Sequence, residues 1–209
     1  MALKIIFMGT PDFSIPSLRL LNSQHNILCV YTQPPKKRSR GQKIYKSPIH
    51  LEAENLNLPV KFPENLDDEF EYKFFKDSNV KFVIVVAYGQ MIPKKLLGIK
   101  NLIFLNIHAS LLPKWRGAAP IQRSIIGMDH QTGISIMRIV PKLDAGPYMI
   151  QQNIKINSKD NFLSLSKKLS EVGAKLIIEA LSLIEKKEAI FKDQNEKYAT
   201  YAKKISKSE

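Results

Sequence analysis

The stretch Leu102-Ile103-Phe104-Leu105-Asn106-Ile107-His108 decides how the rest of the chain reads. The apolar run from Leu102 to Leu105 predicts a strand buried on both faces, as the strands of a parallel sheet are. It then ends in polar side chains that packing does not require. Side chains two apart on a strand share a face, so Asn106 and His108 project together from the strand's end, where open α/β sheets place their chemistry. Downstream, Leu143-Asp144-Ala145-Gly146 sets a carboxylate beside a residue without a Cβ, which lets its loop come close to another backbone. The candidate catalytic constellation is Asn106, His108 and Asp144.

Outward from that strand the chain alternates between strand and helix patterns. Lys4 to Met8, Asn26 to Thr32 and the β-branched run Phe82 to Ala87 read as strands, with Tyr88-Gly89 as the exit of the last, and Pro59 to Phe62 as a short edge strand. Helices are expected after Asp12 or Ser14, with Pro16 in the first turn, then over Pro48 to Leu56, around Phe70 to Phe75, and over Ala119 to Ile126 up to Gly127. Gly133 to Ile139 and Tyr148 to Ile156 flank the Asp144 loop and are expected to pair antiparallel. Phe162, Leu165, Leu169, Val172, Leu176, Ile177, Ala180, Leu181 and Ile184 mark one face of a long amphipathic helix. This alternation predicts an α/β fold with a mostly parallel twisted sheet, helices on both faces and an antiparallel C-terminal part. From Glu185 onward the chain is charged and reads as an extended segment.

With 209 residues, 44% of them hydrophobic, the sequence supports one main domain. No stretch of bilayer-spanning length is free of charge, and Met1-Ala2-Leu3-Lys4 leads straight into a strand, so no membrane association is expected. A lone cysteine, Cys29, gives no disulfide framework and suits a reducing compartment such as the cytoplasm. The formal charge of +13 points to a polyanionic partner. Lys36, Lys37, Arg38, Arg40, Lys43 and Lys46 crowd one segment between Pro34-Pro35 and Pro48, which reads as a long basic loop and a candidate nucleic-acid surface.

The chemistry is narrowed by what surrounds the histidine. No Ser or Cys nucleophile shares its face, since Ser110 falls on the other side of a continued strand and Cys29 lies in a different apolar segment, which disfavours an acyl-enzyme. No His-x-x-x-His or Cys-x-x-Cys spacing occurs, so no metal site is expected. What remains is direct acyl transfer: an amide and an imidazole face the oxygen that turns negative in a tetrahedral intermediate, and a carboxylate orients the imidazole and helps to move protons.

Asn106-x-His108, Ser110-Leu111-Leu112-Pro113 and Asp144-x-Gly146 together resemble the signature of the folate-dependent formyltransferases. Further motifs narrow the resemblance to the methionyl-tRNA formyltransferases: Gly9-Thr10-Pro11-Asp12-Phe13, Thr32-Gln33-Pro34, Val86-Ala87-Tyr88-Gly89, the block from Trp115 to Arg123, and Ala199-Thr200-Tyr201-Ala202. The resemblance implies a Rossmann-like formyltransferase fold and formyl transfer from 10-formyltetrahydrofolate to the α-amine of initiator methionyl-tRNA. It implies a folate site lined by Ser110, Leu111, Leu112 and Pro113. The pterin would be held by backbone groups near Tyr88, Gly89, Gln90, Met91 and Ile92 and from Val140 to Asp144. Lys36, Lys37, Arg38, Arg40 and Lys43 become tRNA-binding candidates, with Arg40 at the family's functional arginine, while Arg116 and Gly117 shape the entry of the amine. Pro35 and Ser39 depart from the family's usual acidic residue and glycine. A monomer is expected, with residues 1–187 as the catalytic domain and 188–209 as an extended linker toward a C-terminal domain absent from this chain. A glycinamide ribonucleotide or nucleotide-sugar formyltransferase stays open as an alternative. So does an inactive, basic RNA-binding remnant of the fold.

Overall fold

A computed structural model describes residues 2–38 and 43–206, without the side chains of Lys37, Arg38 and Lys43. The chain divides into two units, Met1–Leu105 and Asn106–Glu209, and the division falls inside the polar-tipped strand from which the sequence was read.

The first unit runs β1 (Lys4–Gly9), α1 (Ile15–Gln24), β2 (Asn26–Tyr31), β3 (Lys36–Arg38), β4 (Lys43–Tyr45), α2 (Pro48–Asn55), β5 (Val60–Lys61), α3 (Glu69–Asp77), β6 (Phe82–Val86) and α4 (Lys94–Leu97). Strand β7 (Ile103–His108) follows. The second unit adds β8 (Arg116–Gly117), α5 (Pro120–Ile126), β9 (Gln131–Arg138), β10 (Tyr148–Lys155), α6 (Phe162–Glu185) and β11 (Tyr201–Ala202). The main sheet has seven strands in the order β10-β9-β7-β6-β1-β2-β5. Strand β1 pairs in parallel with β2 and β6, and β2 in parallel with β5, whereas β9 and β10 are antiparallel. The mostly parallel α/β sheet with an antiparallel C-terminal part is thus the observed architecture.

Pattern and packing agree where the run is apolar. Every residue of β6, Phe-Val-Ile-Val-Val, is buried, as a central parallel strand requires. Helix α6 begins at a capping box, in which Asn161 accepts from the Ser164 amide and Ser164 from the Asn161 amide. Gly173 lets that helix lie against β7, since a Cβ there would stand 2.7 Å from the Ile107 side chain.

One segment differs from its reading. The basic stretch is a two-stranded antiparallel ribbon rather than a loop, with Lys36 opposite Tyr45, Lys37 opposite Ile44 and Arg38 opposite Lys43. Ile44 and Tyr45 are good strand formers, and pairing satisfies backbone groups whatever charge the side chains carry, so composition masked the strands. Residues 39–42, Arg40 among them, lie outside the described residues. The segment after α6 is extended as expected, and it is bound to the second unit at two places. Lys192 and Tyr148 exchange backbone hydrogen bonds of 2.8 and 3.0 Å, and β11 pairs in parallel with β8. No helix among the described residues is long and apolar enough to cross a membrane.

Candidate active site

Strand β7 ends with Asn106 half-buried and His108 buried. The Nε2 of His108 lies 2.9 Å from the carbonyl oxygen of Trp115. A carbonyl can only accept, so Nε2 carries the hydrogen, and a neutral ring keeps its lone pair on Nδ1. That Nδ1 faces Oδ2 of Asp144 at 3.7 Å. The same Oδ2 accepts the backbone N–H of Gly117 at 2.8 Å, and Oδ1 accepts from Asn106 Nδ2 at 3.4 Å. Asn106, His108 and Asp144 therefore meet at one point, yet both contacts from β7 to the carboxylate are longer than the usual 2.7–3.2 Å of an N–H···O bond.

The carboxylate is aimed by backbone that ordinary side chains resist. Asp144 itself has φ +44° and Trp115 φ +60°, in the left-handed region. Gly146 is needed for close approach: a Cβ would stand 1.9 Å from the carbonyl oxygen of Arg138, so the loop is folded back onto the end of β9. Gly117, at φ +112°, similarly lies 3.0 Å from the Ala202 carbonyl measured from where its Cβ would be.

Behind the carboxylate is a second set of polar groups, of which the sequence singled out Arg116 alone, and for a different role. Gln194 Nε2 donates to the carbonyls of Asp144 and Gly146 at 2.8 and 2.7 Å, and its Oε1 accepts from Arg116 Nε at 2.9 Å. Arg116 is fully buried, and its two terminal nitrogens reach the Glu196 carboxylate at 3.2 and 3.0 Å. Hydrogen bonds from Arg116 and from Lys142 hold the Glu196 carboxyl down to about 2. Arg116 is thus an internal clamp, and no part of it is exposed to shape a substrate's entry.

The folate-site residues read from the sequence fall into two groups. Ser110 is fully buried, its hydroxyl donating to the Lys114 carbonyl at 2.5 Å. Its own carbonyl accepts from Ser135 Oγ at 2.6 Å, and Ser135 Oγ also accepts from the Leu112 amide at 3.1 Å. Gln151 Nε2 donates to the Leu112 carbonyl and to Ser135 Oγ, both at 2.8 Å. Leu112 is buried, Pro113 is half-buried, and Leu111 packs where a Cβ on Gly133 would stand, 2.6 Å away. Ser135 and Gln151 therefore fix the 110–113 turn. A lone hydroxyl between Ile134 and Ile136 was the signal that could have found the first of them. In the first unit, the Tyr88 ring is buried and its carbonyl accepts from Thr10 Oγ1 at 2.7 Å. Gly89 and Met91 are exposed, Ile92 is buried, and Gln90 donates to the Pro63 carbonyl at 3.2 Å. Val140 is half-buried beside Gly146.

Of the tRNA-binding candidates, Lys36, Lys37, Arg38 and Lys43 lie on the basic ribbon, and Arg40 is outside the described residues. Among the described residues no group of three or more His, Cys, Asp or Glu side chains is arranged to hold a metal ion.

Both the sequence and the sheet match a known class. The family model described as formyl transferase covers residues 3–181, and the chain belongs to that family. Solved structures share the fold: a sugar 3N-formyl transferase determined with dTDP and 5-N-formyl-THF has TM-score 0.73 at 18% identity over 97% of this chain and 70% of its own. The phosphoribosylglycinamide formyltransferase of Streptococcus pneumoniae has TM-score 0.72 at 16% identity, over 88% and 99%. Sequence separates the chain from these two. The methionyl-tRNA formyltransferase of Pelagibacter ubique is 51% identical over the whole of this chain and 68% of its own length. That of Coxiella burnetii is 46% identical over 100% and 67%, and that of Paracoccus denitrificans 43% over 99% and 69%. Within its family the chain stands with the methionyl-tRNA formyltransferases.

Proposed function

We propose that this chain carries the formyl-transfer chemistry of a cytoplasmic methionyl-tRNA formyltransferase, acting on the α-amine of initiator methionyl-tRNA at the start of translation, with 10-formyltetrahydrofolate as donor. The observation that carries the reading is the convergence of Asn106 and His108 on Asp144, 38 positions from Asn106, at contacts left long enough for a substrate to complete.

The donor supplies a formyl carbon on a nitrogen that can leave. An α-amine of ordinary basicity loses its proton near pH ~8, so positioning and charge stabilisation matter more than a strong base. As the amine nitrogen bonds to that carbon, Asn106 Nδ2 donates to the oxygen that becomes negative. His108, its Nε2–H held by the Trp115 carbonyl, accepts the proton that the amine gives up at Nδ1, and Asp144 stabilises the imidazolium so formed. The same proton passes to the departing folate nitrogen as its bond to the formyl carbon breaks, and His108 returns to its starting form.

Two observations support a pterin beside residues 88–92. Gly89, at φ +91°, has the Gln33 side chain nearest to where a Cβ would stand, at 3.7 Å, and Gln33 Nε2 is buried without a partner among the described residues. Residues 110–113 and the backbone from Val140 to Asp144 are retained as folate-binding candidates of the second unit. The basic ribbon, with Arg40, is assigned to tRNA phosphates, whose counterions clustered lysines and arginines displace. We retain residues 1–187 as the catalytic domain and a monomeric state as parts of the proposal, with residues 188–202 held to that domain through the Lys192–Tyr148 pair and β11.

The test is formyl transfer to charged initiator tRNA, assayed beside glycinamide ribonucleotide and an amino-sugar nucleotide. Turnover on the tRNA alone is the expected result. Turnover on either small amine, or tRNA binding with no turnover on any amine, would overturn the assignment.

A further inference from the structure

We infer that Gln194 is a positioning residue for the reaction, holding the Asp144 carboxylate through the backbone of its loop; this rests on the function proposed above. The side chain is nine-tenths buried and makes three hydrogen bonds whose chemistry leaves one solution. The carbonyls of Asp144 and Gly146 can only accept, and Arg116 can only donate, so the bridging group needs two donors on one side and an acceptor on the other. A primary amide has both. A carboxylate at 194 would suit Arg116 but would set charge against two carbonyls at 2.7 and 2.8 Å, and an ammonium would suit the carbonyls but repel the guanidinium. The amide orientation is thereby fixed, with Oε1 toward Arg116.

The peptides so held are the ones that aim the carboxylate. Asp144 sits in the left-handed region at φ +44°, and Gln194 grips the carbonyl on each side of Ala145. Its effect reaches the reacting groups only through Asp144, whose Oδ2 receives the Gly117 amide and faces His108. The surrounding segment has separate anchors. The Arg116 amide donates to the Thr200 carbonyl at 2.8 Å and the Ala118 amide to the Ala202 carbonyl at 2.9 Å, neither involving Asp144.

That separation gives the test. Hydrogen exchange is measured on Gln194→Ala and Gln194→Glu beside the parent chain, together with steady-state formyl transfer. If Gln194 positions Asp144, protection of the Gly117 amide falls roughly tenfold while the Arg116 and Ala118 amides keep theirs. In the same variants kcat drops on the order of 10- to 100-fold with KM for both substrates nearly unchanged, the pattern of a misplaced group. An unchanged Gly117 amide, a loss shared equally by the three amides, an effect confined to KM, or failure of both variants to fold would each overturn the inference. Should the parent transfer no formyl group, the proposed function fails, and the Gly117 amide still decides whether Gln194 holds Asp144.

Discussion

Two polar clusters stand side by side in the second unit, built from the same kinds of groups and finished very differently. Around Arg116, Gln194 and Glu196 these hydrogen bonds fall between 2.7 and 3.2 Å, and each side-chain nitrogen of Arg116 and Gln194 has an acceptor. Around Asn106, His108 and Asp144 the contacts along the strand end stretch to 3.4 and 3.7 Å, and the one short bond to an Asp144 side-chain oxygen among the described residues comes from a backbone amide. Buried polar groups are normally satisfied, so the loose cluster is the exception, and under the proposed function a substrate completes it while the tight one is its scaffold.

The contrast can be broken in order of expected size. Asp144→Ala removes the group on which the loose cluster converges, and should lower single-turnover formyl transfer by about three to four orders of magnitude, while stability falls by only about 1 kcal/mol through the Gly117 amide it leaves without its acceptor. Activity within tenfold of the parent would make the cluster structural. Arg116→Met should do the reverse: it leaves Gln194 Oε1 buried without its donor and should cost about 2 kcal/mol in urea unfolding. A loss too small to measure would show that the tight cluster holds nothing. Smallest is a pH effect. Glu196 is held down to about 2 in the folded chain, so its pairing stabilises above its ordinary carboxylate range and is lost as pH falls from there toward about 2. Glu196 is exposed, which keeps the effect modest; Glu196→Gln should flatten the decline in melting temperature over that acid range, and an unchanged decline would remove Glu196 from the account.

The loose cluster was legible in the sequence and the tight one was not. Asn106 and His108 interrupt an apolar pattern at a strand end, and Gly146 marks a close approach next to Asp144, so each announces itself within a few residues. Arg116 and Gln194 meet across 78 positions, and Gln194 lies in a charged tail with no periodicity to betray an inward side chain. The role of His108 was open for a related reason: its Nε2 is committed by the carbonyl of Trp115, whose position depends on a left-handed φ of +60° that no pattern encodes at a tryptophan. The fold class followed from runs such as Phe82 to Val86, where burial on both faces leaves only apolar side chains. The ribbon at Lys36–Arg38 and Lys43–Tyr45 was hidden because its lysines and arginines say nothing about backbone pairing.

The claim beneath all of this is that the end of β7 holds the developing oxyanion. Single-turnover formylation of initiator methionyl-tRNA by Asn106→Ala at saturating donor measures it most directly. The account predicts a rate lower by two to three decades, roughly 3 kcal/mol in the barrier, with unchanged stability. An Asn106→Ala protein that formylates at the parent rate would contradict it.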